Sequence, residues 1–90
     1  MAKGVAVLVR ELQAEALRVA VGQTLKAERV EVFVLDRRLA DSPEIAMYVD
    51  VLKELGMPVA TNVADNPGLQ VLSNARIAER IAACEVTVPY

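Results

Sequence analysis

Ninety residues with a mass of 9.7 kDa and a net charge of −2 leave room for a single domain spanning residues 1–90, because a second core could not be built from what remains. Ten Lys and Arg against twelve Asp and Glu, with a pI near 5.0, provide none of the general basic field that nucleic acids or anionic membranes require, so neither is an expected partner. One cysteine and no histidine exclude an internal disulfide, a zinc cluster, a Ser-His-Asp triad and a Cys-His pair within one chain, and no cofactor is expected.

A chain this short buries only about 60–65% of its unfolded surface, so its core must be filled efficiently or shared with a partner. Valine (15), alanine (14) and leucine (10) dominate, and Phe33, Tyr48 and Tyr90 are the only aromatic residues, so small and branched side chains do the packing. The mean hydropathy is +0.34, yet no uncharged apolar run approaches the ~20 residues of a membrane helix. Met1 to Gly4 run directly into the apolar stretch Val5–Val9, too short a lead for a targeting segment, and the expected location is the cytoplasm.

Val5–Val9 is continuously apolar and β-branched, the pattern of a central parallel strand covered on both faces. Residues 11–26 predict a helix, with Glu11, Glu15, Arg18, Gly22 and Lys26 as a narrow polar stripe. The rest of its circumference, including Leu12 and Val19, is more apolar than one sheet face needs, so a neighbouring helix or another subunit is expected against it. Val30–Leu35 predicts a second strand, interrupted only by Glu31. Asp41 is the expected N-cap of the next helix, with Glu44 as capping-box partner and Pro43 in the first turn. Ile45, Tyr48, Val49, Leu52 and Leu55 carry its apolar stripe, and Gly56 followed by Pro58 ends it.

Pro58–Thr61 predicts a short third strand, and Asp65-Asn66-Pro67-Gly68 a turn. Leu69–Leu72 reads as a short irregular strand before Ser73 or Asn74 caps a third helix with Ile77, Ile81 and Cys84 on one face. Val86–Val88 is the final strand. Strands alternating with helices imply right-handed βαβ units, hence a small three-layer α/β sandwich: a mainly parallel sheet of four or five strands with three helices on its two sides.

An open parallel sheet binds ligands beyond the carboxyl ends of its strands. That edge gathers Arg10, Glu11 and Gln13 after the first strand, Asp36 and Arg37 after the second, and Thr61, Asn62 and Asp65 after the third. Of these, Arg10, Glu11, Asp36, Thr61, Asn62 and Asp65 form the candidate site for a small anion, held in the fork of the Arg10 guanidinium between the loops that begin at Arg10 and Thr61. The competing reading is a set of solvated loop residues in which Arg10 pairs with Glu11 or Asp36, and no glycine-rich phosphate loop follows the first strand. Glu11 and Glu15 lie one turn apart, but Arg18 and Lys26 on the same stripe make a solvated face the better reading. Cys84 lies at a helix C-terminus, beside Glu85 and on an apolar stripe, a setting that disfavours a thiolate and fits a packed core cysteine.

The segments Val7–Arg10, Ala14–Leu25, Val30–Asp36 and Leu52–Gly56 resemble the DsrE/DsrF/DsrH family, which includes the TusB, TusC and TusD sulfur-relay subunits. The resemblance covers nearly the whole chain, continuing through Ser73–Ala83 and the last strand. It implies a DsrE-like α/β fold, assembly into homo-oligomers or with related DsrE-like subunits, and, in sulfur-transferring members, a persulfide cysteine in the loop after the strand that follows the second helix. That position falls at about Asn62, where no cysteine stands, and Cys84 matches a position just before the last strand. The segment between Leu39 and Ile45 is also trimmed, which leaves the mouth less covered. The expectation is a cytoplasmic DsrE-like protein without the persulfide cysteine, acting as a non-catalytic binding or assembly subunit linked to sulfur metabolism. The alternative is a sulfur carrier that uses Cys84.

Overall fold

The computed structural model describes residues 4–27 and 29–90, so the lead Met1–Lys3, read above for a targeting segment, lies outside the described part. The chain runs β1 (Gly4–Val9), α1 (Gln13–Gln23), β2 (Arg29–Val34), α2 (Pro43–Glu54), β3 (Val59–Thr61), β4 (Gln70–Val71), α3 (Asn74–Ala82) and β5 (Val86–Pro89). The five strands form one sheet in the order β4-β3-β2-β1-β5, and every pairing is parallel.

Layering follows from strand alternation, which sends successive side chains to opposite faces. Val5, Val7 and Val9 of β1 and Val30, Val32 and Val34 of β2 meet Ala16, Leu17 and Ala20 of α1 and Ile45, Val49 and Leu52 of α2. On the opposite face Ala6, Leu8, Phe33, Leu35 and Ala60 lie under Ile77 of α3. The expected three-layer α/β sandwich is therefore present, with two helices on one side and one on the other. From β1 to β4 the chain steps steadily across the sheet. Helix α3 then returns along the opposite face and sets β5 beside β1, so strand order reverses between these two.

Helix α1 is shorter than the periodicity predicts: Glu11 and Leu12 precede it, and Thr24–Lys26 form a turn. Its apolar surplus is partly absorbed by α2, against which it packs, while Leu12 and Leu25 stay exposed. The expected Asp41 cap of α2 is also corrected. Ser42 is the N-cap, with φ −136° and ψ 131°, and its Oγ accepts from the Ile45 N–H at 3.4 Å. Pro43 explains the choice, because the residue before a proline is driven into the extended region that an N-cap occupies. At the other end, Gly56 at φ +74° places its N–H on the Lys53 carbonyl (3.0 Å) and the Met57 N–H on that of Leu52 (2.9 Å), the Schellman arrangement. Ser73 caps α3, accepting from the Arg76 N–H at 3.2 Å. Among the described residues no helix is long and apolar enough to cross a membrane.

Candidate functional site

At the carboxyl edge of the sheet, Asp36 stands just past β2 with φ 66°, a left-handed conformation that aspartate tolerates better than most residues. Asn62, just past β3, holds it there. Its Oδ1 accepts the Asp36 N–H at 2.8 Å, and its Nδ2 donates to Asp36 Oδ1 at 3.0 Å and to Asn74 Oδ1 at 2.9 Å. One amide thus ties the end of β2 to the end of β3 and to the first turn of α3.

Across β1 the charges are crossed. Arg10 Nε lies 3.9 Å from Asp36 Oδ2, and a guanidinium nitrogen of Arg37 lies 3.9 Å from Glu11 Oε1, so each loop lends its cation to the other loop's acid. Both separations exceed a hydrogen bond, and all four side chains are about half exposed or more, which makes each pair worth little by itself. Arg10, Glu11 and Arg37 line a cleft together with Leu12, Pro89 and Tyr90. This cleft lies between the ends of β1 and β5, where strand order reverses and open parallel sheets take their ligands. Tyr90 lines it with its backbone fixed to β1: its N–H donates to the Leu8 carbonyl at 2.9 Å, and its own carbonyl accepts from the Leu12 N–H at 3.3 Å.

The candidate residues therefore divide. Arg10 and Glu11 face the β1/β5 cleft, while Asp36 and Asn62 bridge the span between Arg10 and Thr61. Thr61 is wholly buried, its Oγ1 donating to the Val34 carbonyl at 2.8 Å and accepting from the Val63 N–H at 3.1 Å. Asp65 is exposed and takes no part in these bonds. The Glu11 and Glu15 stripe is solvated as expected, with Glu15 accepting from Arg18, whose guanidinium is pushed further toward its charged form by that bond.

Sequence reasoning missed Asn66. It is 3% exposed, its Nδ2 donates to the Arg37 carbonyl (3.1 Å) and Thr61 Oγ1 (2.9 Å), and its Oδ1 accepts the Leu39 N–H (2.7 Å). A turn signal placed it in a loop, and nothing local marked it as the buried pin of that loop. Between this pinned loop and α2 lies a second cavity, of about 250 Å³.

The one thiol sits far from this edge. Cys84 is half-buried against the α3-face core, and its Sγ lies 3.7 Å from Glu31 Oε2 and 3.5 Å from the Arg80 carbonyl. Burial raises its pKa, and the neighbouring Glu31 raises it further, so the thiolate is disfavoured. Glu31, 1% exposed, is the other residue whose setting the sequence did not disclose. Arg29 donates to it at 2.6 Å and Arg80 at 2.8 Å. Among the described residues no group of three or more His, Cys, Asp or Glu side chains is placed to hold a metal ion.

An all-parallel five-stranded α/β sandwich with a polar carboxyl edge defines the class of this protein. No family model matches the chain, and no curated protein matches it in sequence. Among solved structures it is similar to the ychN protein from E. coli, at a TM-score of 0.77 and 12% identity, over 100% of both chains. That likeness is one of fold, and it supports the DsrE-like α/β fold implied by the sequence resemblance.

Proposed function

We propose that this chain is a DsrE-like binding or assembly subunit linked to sulfur metabolism, working in the cytoplasm with copies of itself or related DsrE-like subunits and carrying no sulfur of its own. The observation that carries the reading is the state of Asn62. Where sulfur-transferring members of the family would present a thiol, this chain has an amide engaged with Asp36 and Asn74, a connector and not a nucleophile. The setting of Cys84 supports the same reading, since a raised thiol pKa beside a carboxylate opposes persulfide exchange.

The small anion belongs, in this proposal, in the β1/β5 cleft. The span from Arg10 to Thr61 is bridged by Asp36 and Asn62, whereas the cleft is lined by both Arg10 and Arg37. Neither group is hydrogen-bonded to its acid, so their donors are open to an oxyanion.

Alkylation and sulfur loading test the reading together. Cys84 is expected to react with iodoacetamide slowly in native protein and rapidly in denaturant, and the protein to acquire no bound sulfur from a persulfide donor. Rapid native alkylation with stable sulfur loading abolished by Cys84→Ser would replace this reading with the sulfur-carrier alternative. In an amide spectrum, sulfate is expected to shift Arg10, Glu11, Leu12 and Arg37, and Arg10→Ala to remove those shifts.

A further inference from the structure

The second cavity lies between α2 and residues 66–69, and its walls are fixed before any ligand arrives. Gln13 Nε2 donates to the Arg38 carbonyl at 3.0 Å, and Gln13 Oε1 accepts the Ala40 N–H at 2.9 Å, which holds segment 38–40 from the α1 side. Asn66 holds the same segment from the other side through Leu39. Lys53 Nζ donates to the Gly68 carbonyl at 2.7 Å and fastens the 66–69 segment to α2. Leu39, Ile45, Val49 and Leu69 supply an apolar lining.

Four charged residues also line the cavity, two of each sign: Arg38, Asp41, Asp50 and Lys53. Ser42 performs the capping, so Asp41 is released from the role its sequence position suggests. Among the described residues, the ion pairs of the molecule involve none of Arg38, Asp41, Asp50 and Lys53. Lys53 donates to a carbonyl, which leaves its charge unneutralised.

We propose that this cavity binds a small zwitterion with an apolar body, the chemistry of an apolar α-amino acid. Its ammonium meets Asp41 and Asp50, its carboxylate meets Arg38 and Lys53, and its side chain covers the apolar lining. An amine or an acid alone would leave one pair of charges unanswered. At about 250 Å³ the space is below the ~300–1,000 Å³ of pockets for drug-sized ligands, which sets the scale at a single amino acid. The site is separate from the anion cleft, and neither proposal depends on the other.

The probe is L-leucine, titrated into the isotope-labelled full chain and compared with 3-methylbutylamine and 4-methylpentanoate, which each keep the apolar body and one charge. Leucine is expected to give saturable amide shifts at Leu39–Asp41, Asp50, Lys53 and Leu69, with each single-charge analogue weaker by about tenfold or more. Asp50→Asn, a change at an exposed position, is expected to weaken leucine by about tenfold while the rest of the spectrum is unchanged. The proposal is overturned if leucine gives no saturable shift at millimolar concentration, if either analogue binds as well as leucine, or if Asp50→Asn binds like the wild type. Leucine shifts confined to Arg10, Leu12 and Arg37 would overturn it too and leave the anion proposal standing. Absence of any sulfate shift in the wild-type protein would remove the anion proposal and leave this one.

Discussion

Under α1 and α2 the sheet presents valines, answered by Leu17, Leu52 and small alanines, and no charged side chain enters that layer's buried cluster. Under α3 the same strands present Ala6, Leu8 and Phe33, but also the buried carboxylate of Glu31, enclosed by Arg29, Arg80 and Cys84. One helix covers what two cover on the other side, and Ile77 is the single buried residue of α3. The contrast shows how a short chain completes a thin layer. Where too few apolar groups are available, a paired charge fills the space, and the layer gains a directional contact at the expense of desolvating an acid.

The sharpest test of the comparison is Leu17→Ala. Leu17 is wholly buried, and its loss is expected to cost about 3–4 kcal/mol in denaturant unfolding, unchanged by added salt. Glu31→Ala comes next, at about 2–3 kcal/mol. The variant strands two arginines whose partial exposure, 24% for the Arg80 side chain, lets water recover part of the loss. A double cycle with Arg80→Ala should show coupling between the two sites, and strict additivity would remove the claim that this face rests on the pair.

Cys84→Ala is smaller, about 1 kcal/mol by thermal melting, because the sulfur is only half-buried. Its pH signature is more telling. The folded thiol keeps its proton where the unfolded thiol has lost it, so the native state binds more protons and stability falls as pH rises above the ordinary thiol value of about 8.5. Removing the thiol should flatten that part of the fall, and a parallel decline in variant and wild type would contradict it. Smallest is Ser42→Ala, at about 0.5–1 kcal/mol given its 3.4 Å bond, with Asp41→Ala leaving the melting temperature unchanged.

The α1/α2 face was legible in the sequence because its signals are local. A β-branched run makes β1, a 3–4 spacing makes α2, and Pro43 and Gly56 bracket that helix by their own backbone preferences. Even the misassigned cap follows from a local rule, the effect of Pro43 on Ser42. The α3 face was harder to read, since Glu31 meets Arg80 from 49 positions away and no short-range pattern announces the meeting. The candidate site was half legible. The carboxyl ends of the strands located Arg10 and Glu11, but the crossing of their partners and the side on which the cleft opens depend on strand order, which periodicity does not encode. Asn66 was invisible because a buried asparagine and a solvated one occupy the same kind of turn.

The pairing of β5 with β1 sets the order in which the molecule can be finished. Val5 lies opposite Val86, so the first of the five described strands is bordered by the fifth. The units β1-α1-β2 and β2-α2-β3 join neighbours through short crossovers, whereas β5 must close a loop of nearly the whole chain. Such long-range parallel pairing slows folding relative to a helical chain of the same length. A nascent chain that has not yet reached Val86 holds Val5–Leu8 with one row of backbone donors and acceptors unpaired, an edge on which a strand from another ribosome's product can settle.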